Sequence, residues 1–411
     1  MRTFFLIIFL SILFSSCEEQ ATKPTTMTIN PGDWTFELDL GETSLPFRAK
    51  VNVDEKGQPS IIMYNAAEEI VAQEISTESD SMIVRIPHFE SEFHAHLEDN
   101  GKRLAGFWRN FAKGPDYKIP FTAVASPKAC ASTANGDKAI SIGGRWETTF
   151  GEPDDTWPAI GEFTQDGNAI SGTFLTETGD YRFLEGCLTG DNFLLTTFDG
   201  AHAFAFAGTV DGDGNMKGTF YSGNHYQTPF SAVRNEEAKL RAADSLTYLK
   251  EGYDGLAFSF PDLDGNMVSL TDDRFKGKAV IVQIMGSWCP NCLDETRLYN
   301  EWYKRYKDRG LEIVALAYEA STDPVKAGKA INRFRKPLGE TYTFLIAGRA
   351  NKKESAASLP MLNHIISYPT SIFIDKTGNI RSIHTGFSGP GTGKHYDEFV
   401  EKYERLIEDM L

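Results

Sequence analysis

The sequence predicts a multidomain protein in which two repeated antiparallel all-β units, each a barrel or a sandwich, precede an α/β domain. Its 411 residues are too many for one ordinary domain. Short runs of alternating apolar and polar residues fill the first half, whereas strand and helix patterns alternate in the last third. The formal charge of −16 argues against nucleic acid as a partner.

The N-terminus has the pattern of a targeting segment, predicted as a signal peptide over residues 1–16 and a polar tether over 17–26. Arg2 precedes an apolar run that is too short to span a bilayer as a stable helix. The placement of Cys17 directly after this run resembles a bacterial lipoprotein signal, although Phe14 stands where Leu is usual. The resemblance implies lipid on Cys17 and a location on a membrane of the bacterial cell envelope. An ordinary secretory signal with an incidental cysteine is the alternative.

Residues 27–126 and 140–235 are predicted as the two β units, because short alternating runs are broken there by Gly, Asp and Asn. Several residues recur between the units. The matches are residues 119–124 with 228–233 and Phe89 with Phe198, each 109 apart, and Trp34 with Trp146 and Gly106 with Gly218, each 112 apart. The two units are therefore interpreted as related copies.

Residues 236–251 carry apolar side chains at helical spacing and are predicted as a linker helix. From residue 252 to 411 strands and helices alternate. The predicted elements are strands at 278–285, 311–318, 342–346, 371–375 and 380–385, and helices at 290–308, 323–335 and 395–410. This alternation predicts a central sheet covered by helices.

Trp288-Cys289-Pro290-Asn291-Cys292 joins the first of these strands to the first helix. Two cysteines at this spacing can close and reopen as a disulfide. Cys289 falls at the helix N-terminus, where free backbone N–H groups and the helix dipole stabilise a thiolate. The motif therefore predicts thiol–disulfide exchange. Half of a zinc site is the alternative, but no second cysteine pair follows and the nearest downstream histidine is His364.

Three further motifs surround this dithiol: a lead-in over residues 258–265, Tyr368-Pro369-Thr370, and a hairpin turn at 375–379. Together they resemble the thioredoxin superfamily, and more closely its TlpA/ResA-like branch of exported, membrane-tethered thiol–disulfide oxidoreductases. The resemblance covers about residues 252–411 and implies a thioredoxin-like domain. N-terminal β units then precede this domain.

The resemblance implies a role for each matching residue. Cys289 is expected to be the attacking thiolate and Cys292 the buried resolving thiol. Pro369 is expected to be a cis proline packed against the pair; a strand-initiating proline is the alternative. The backbone of Tyr368 is expected to pair with a substrate strand, and Trp288 to shield the pair from solvent.

One departure concerns the proton acceptor. Many thioredoxins carry a buried Asp six residues before the first cysteine, and Gln283 stands there in this sequence. In the TlpA/ResA-like branch a Glu three residues after the second cysteine takes that task, which implies Glu295. Positions 292 and 295 share a helix face, so Glu295 could exchange a proton with Cys292. A solvated helix residue is the alternative.

Cys130 and Cys187 remain, and in an oxidising compartment they could form a structural disulfide. Two buried, unpaired thiols are the alternative. No cofactor and no metal are expected.

The resulting expectation is a membrane-tethered enzyme that reduces disulfides of exported proteins and receives electrons from an upstream membrane thiol donor. Three alternatives remain: a thiol peroxidase, which needs Thr where Gly286 stands; a copper or haem maturation accessory that recruits His384; and a protein whose β units bind or present a partner. Residues 179–186, rich in charges and aromatics, either line a ligand site or form a turn with a salt-bridged strand.

Overall fold

The structure, a computed structural model, describes residues 28–126, 130 and 141–411. The predicted signal peptide, the tether and the lipid site at Cys17 lie outside these residues. Within the described part of the chain, no helix combines the length and the apolar character needed to cross a membrane.

The first β unit is one sheet of nine antiparallel strands with the order β4-β3-β2-β1-β9-β8-β7-β6-β5. Its strands are β1 (Gly32–Asp39), β2 (Ser44–Val53), β3 (Pro59–Asn65), β4 (Glu68–Ala72), β5 (Glu74–Glu78), β6 (Ser81–Arg85), β7 (Ser91–Glu98), β8 (Arg103–Asn110) and β9 (Lys118–Val124). Burial alternates along the strands, as in β9, so one face of the sheet encloses a core that includes Trp34, Phe93 and Trp108.

The second β unit repeats this plan. Its strands are β10 (Gly144–Glu152), β11 (Asp155–Asp166), β12 (Ala169–Thr176), β13 (Gly179–Asp180), β14 (Leu184–Thr189), β15 (Asn192–Phe198), β16 (Ala203–Val210), β17 (Met216–Ser222) and β18 (Tyr226–Arg234). Pairing of β11 with β12 closes all of them except β13 into a barrel. Phenylalanine rings, among them Phe150, Phe174 and Phe230, fill its interior. The predicted all-β fold class of this half is confirmed.

Equivalent residues of the two units make equivalent contacts. Trp34 and Trp146 each donate their indole N–H to the carbonyl four residues earlier. Gly106 pairs with Phe121 in the first unit as Gly218 pairs with Phe230 in the second. The repeat is therefore confirmed at these positions.

The match of Phe89 with Phe198 is wrong. In the first unit Phe93 pairs with Trp108, and in the second Phe206 pairs with Phe220. Phe93 of β7 and Phe206 of β16 are therefore the equivalent residues, and the offset between these two strands is 113 instead of 109. The difference arises because the loop before β16 differs in length from the one before β7.

The predicted linker helix over 236–251 is also wrong, since these residues hold only a 3-10 turn, Ala243–Ser245. Their apolar side chains pack against two different domains and do not form one face of a helix. Ala238 packs on the second β unit, whereas Leu246 is buried and Leu249 bridges to Leu362 of the last domain. An extended segment reaches both surfaces, which one amphipathic helix cannot do.

The last domain is built on the sheet β23-β22-β21-β24-β25. Its elements are β19 (Ser259–Pro261), β20 (Met267–Ser269), β21 (Ala279–Met285), α1 (Pro290–Tyr306), β22 (Leu311–Glu319), α2 (Pro324–Arg335), β23 (Thr343–Arg349), α3 (Lys352–Ser358), β24 (Thr370–Ile374), β25 (Ile380–Thr385) and α4 (Lys394–Met410). Side chains of α1, α2 and α4 cover one face of the sheet, and the β19–β20 hairpin with residues 359–365 covers the other. The short α3 is the one α-helix of the domain that the sequence did not predict.

Candidate active site

The two cysteines of the CxxC motif lie where the buried strand β21 leads into α1. Cys289 is the N-cap of the helix, and its Sγ accepts the backbone N–H of Cys292 at 3.2 Å. This hydrogen bond and the helix dipole both favour a negative charge on the Cys289 sulfur. Both cysteines are free thiols, with Cys289 only 6% exposed and Cys292 fully buried.

Cys292 needs help to become a nucleophile. Two causes raise the pKa of the Cys292 thiol well above its usual range: burial is the larger, and the hydrogen bond with Cys289 is the second. A thiol is inert in exchange until it loses its proton. The site therefore requires a nearby group that can accept a proton.

Glu295 has the properties of that group. It lies three residues along α1 from Cys292 and is fully buried, so the alternative of a solvated helix residue is wrong. Burial raises the pKa of Glu295 to about 7. Hydrogen bonds from Gln283 Nε2 at 2.8 Å, Ser371 Oγ at 3.0 Å and Tyr299 Oη at 3.1 Å fix its carboxylate.

Gln283 thus has a role that the sequence did not indicate. It donates to Glu295, while its Oε1 accepts the hydroxyl of Tyr342 at 2.8 Å. Its side chain orients the carboxylate from the neighbouring strand instead of accepting a proton itself. The signal available in the sequence was its position six residues before Cys289.

Replacing Glu295 with Gln is expected to slow disulfide reduction by about 10²-fold, the usual contribution of a positioned acid or base. The parent rate should rise with pH through about 7, because Glu295 accepts a proton only after it has lost its own. The Gln variant should lack this inflection. Insulin reduction between about pH 5.5 and 8.5 is the measurement. Glu301→Gln, on the exposed side of the same helix, is the control, and an unchanged profile in Glu295→Gln would contradict the assignment.

The Tyr368–Pro369 segment lies against the dithiol. The Tyr368–Pro369 bond is cis, and the Cys289 thiol donates to the Tyr368 carbonyl at 3.4 Å. The Trp288 and Tyr368 rings meet edge to face at 5.5 Å, and Trp288 Nε1 donates to the Tyr318 carbonyl at 3.0 Å. The structure therefore brings together all the residues predicted for the redox site.

A loop of the second β unit, residues 178–183, also reaches this site and is called the covering loop. Asn291, between the two cysteines, donates to the Asp180 carbonyl at 3.1 Å. Ser367, two residues before Pro369, donates to the Thr178 carbonyl at 2.6 Å. The β units are consequently part of the surroundings of the active site.

Arg182 anchors the covering loop at a junction of three domains. It is 5% exposed, and its guanidinium contacts the carboxylates of Glu68 in the first unit and Asp294 in α1. It also donates to the Pro290 carbonyl at 3.2 Å and lies 3.9 Å from Asp199. The sequence indicated a salt-bridged turn within residues 179–186 but not the partners of Arg182, of which Glu68, Pro290 and Asp294 lie more than a hundred residues away.

The other candidate residues are placed as follows. Cys130 and Cys187 form a disulfide. His384 Nδ1 lies 2.7 Å from Asp244 Oδ1 and 2.9 Å from Tyr403 Oη, so its ring is held by neighbouring side chains. Across residues 28–126, 130 and 141–411, no three His, Cys, Asp or Glu side chains are grouped as metal ligands would be.

Comparisons with known proteins find sequence relatives of the last domain. The family model described as Redoxin matches residues 250–399. Thiol-disulfide oxidoreductase ResA of Bacillus thuringiensis subsp. konkukian (strain 97-27) is 30% identical over 145 residues, which are 35% of this chain and 73% of that protein. Thioredoxin-like protein YneN of Bacillus subtilis (strain 168) is 31% identical over 138 residues, or 34% of this chain and 73% of that protein.

A solved thiol:disulfide interchange protein of the thioredoxin family from Chlorobium tepidum TLS is 21% identical, with a TM-score of 0.30. The match covers 42% of this chain and 99% of that one. The match to ResA extends over most of that relative, and the CxxC site has the geometry of an exchange dithiol. The chain therefore belongs to the ResA-like thiol-disulfide oxidoreductases of the thioredoxin superfamily.

Proposed function

We propose that this protein is a membrane-tethered reductase of disulfides in exported proteins. The observation that carries the proposal is that the two thiols lie in different environments, each suited to one step of disulfide reduction. Cys289 is held at a helix N-terminus that favours its thiolate, and Cys292 is buried one turn from a carboxyl group whose pKa is about 7. The first thiol is suited to attack a substrate, and the second to resolve the product.

The reaction begins with attack of the Cys289 thiolate on one sulfur of a substrate disulfide. The substrate S–S bond breaks, its other sulfur leaves as a thiolate that takes up a proton, and a mixed disulfide forms at Cys289. Cys292 then transfers its proton to Glu295 and attacks the Cys289 sulfur. The second substrate thiolate departs, so that the substrate has gained two electrons and the protein holds a Cys289–Cys292 disulfide.

An upstream membrane dithiol is expected to return the pair to its reduced form by supplying two electrons and two protons. Tethering through Cys17 and a location in the bacterial cell envelope rest on the N-terminal pattern of Arg2, an apolar run and a cysteine. A tether would keep the redox site near such a donor.

The reduction potential of the Cys289–Cys292 pair, measured by equilibration with glutathione, tests the direction of the reaction. A reductase should have a potential near or below about −270 mV, in the thioredoxin range. A value near about −120 mV, in the range of strong oxidants, would instead indicate a disulfide-forming enzyme. The absence of a reversible two-electron couple would overturn the oxidoreductase function as a whole.

A further inference from the structure

The covering loop closes one side of the active site. The main chain of Gly386 lies so near this loop that a Cβ there would be 2.8 Å from the carbonyl carbon of Thr178. The Gly389 N–H donates to the Asp180 carboxylate at 2.6 Å, and Ser367 and Asn291 add the two hydrogen bonds described above. A substrate polypeptide cannot occupy this side without displacing the loop.

A cleft of about 790 Å³ opens on the other side, between the first β unit and the thioredoxin-like domain. Ser287 and Trp288, directly before Cys289, form part of its wall. Residues 111–114 of the first β unit and the exposed side of α2 form further parts of the wall. The cleft is therefore formed by both domains and reaches the two residues that directly precede the reactive cysteine.

The cleft carries positive charge in an acidic protein. Three lysines line it, Lys113, Lys326 and Lys329, and none makes an ion pair with another described residue. The carboxylates around them are largely engaged or buried: Glu92 pairs with Arg85 at 3.5 Å, and Glu319 is 2% exposed and accepts the Ser287 hydroxyl. Glu90 also lines the cleft.

Burial raises the pKa of Glu319 to about 7, so part of its population is neutral near neutral pH. Apolar surface accompanies the lysines. Phe111 is 41% exposed and Trp288 is half-buried, both within the cleft. Apolar contact with flanking cations is a surface suited to an acidic polypeptide that also carries some apolar side chains.

We propose that this cleft is a substrate-docking site that binds the acidic segment flanking a substrate protein's disulfide and delivers that disulfide to Cys289. The proposal rests on the reductase function proposed above and adds its substrate class. The net charge of −16 repels acidic substrates from most of the surface. The three unpaired lysines make the cleft the place where such a segment is attracted, and the covering loop closes the other approach.

Two peptides test the proposal, each with the same disulfide but with either Asp/Glu or Lys residues as flanks. The measured quantity is the second-order rate constant of the pre-reduced full-length protein with each peptide in a single turnover. The acidic peptide should react about tenfold faster at low ionic strength, because complementary charge raises association rates. The preference should largely vanish at about 1 M salt, where the screening length is about 3 Å.

Reversing the charge of the three cleft lysines tests whether they cause the preference for the acidic peptide. The variant Lys113→Glu/Lys326→Glu/Lys329→Glu should reverse the preference. The matched control Lys56→Glu/Lys217→Glu/Lys376→Glu changes the net charge equally at exposed positions outside the cleft and should keep it. If the Lys113 change impairs folding, Lys326→Glu/Lys329→Glu on the exposed side of α2 replaces the triple variant and should at least halve the preference.

Hydroxyethyl disulfide, which is small and uncharged, separates the two hypotheses. The lysine variants of the cleft and of the matched control should all reduce it at the parent rate. Failure of the parent protein to reduce it would overturn the reductase function. Reduction of this compound together with equal rate constants for the two peptides would overturn the docking site alone, as would an equal loss of preference in the cleft variant and its matched control.

Discussion

Replacing Cys289 with serine is expected to lower insulin reduction by a factor on the order of 10³ or more, because a hydroxyl cannot supply the thiolate that attacks a disulfide. The variant should fold normally, since serine is close in size and can still accept the Cys292 N–H. It should also trap no substrate. Retention of full insulin-reducing activity would exclude Cys289 as the nucleophile.

Cys292→Ser should fail in a different way. Its Cys289 thiolate can still attack, but nothing resolves the product, so a mixed disulfide with the substrate should accumulate. Non-reducing electrophoresis followed by mass spectrometry measures this species. Cys130→Ala/Cys187→Ala is the matched control, because it removes the structural disulfide and leaves the redox pair intact. It should remain active and lose stability only.

The second large effect is expected at Arg182. Replacing it with Met should destabilise the protein by about 3–5 kcal/mol, the cost typical of removing one partner from a buried ion pair. Glu68, Asp199 and Asp294 would then lose the one cation that they share, and only His202 beside Asp199 and Arg297 beside Asp294 would remain. Denaturant unfolding, followed at the first transition, is the measurement. Arg241→Met, which breaks an exposed pair with Glu177, should cost little.

The loss in Arg182→Met should depend on pH. The charge of Arg182 lowers the pKa of the Asp180 and Asp199 carboxyls, so without the guanidinium these two carboxyls should hold their protons more tightly in the folded variant than in the folded parent. Their folded-state pKa values are then raised, so the variant loses stability as pH rises and recovers part of it towards pH 5. Asp180 already shows the trend, since burial raises its pKa to about 6 in the parent. A variant as stable as the parent at pH 8 would contradict the role of the cluster.

The sequence predicted best where structure depends on nearby residues. The strands and helices around Cys289, the hairpin turn at 375–379 and the repeat register at Trp34 and Trp146 all follow from short patterns. The helix prediction for the linker was wrong because the structure of this segment depends on distant residues. Ala238 and Leu249 have helical spacing, but each packs against a different domain. The predicted match of Phe89 with Phe198 was wrong because a loop differs in length between the two β units.

The sequence by itself determined the chemistry, since the spacing of Cys289 and Cys292 at a strand-to-helix junction specifies a dithiol whose first sulfur is activated by the helix N-terminus. It also determined the order of two β units and an α/β domain. Only the tertiary structure decided the surroundings of that dithiol: the covering loop, the Arg182 cluster and the cationic cleft. These features join residues as far as 209 positions apart and more, such as Asp180 and Gly389, and no local pattern specifies which surfaces of separate domains will meet.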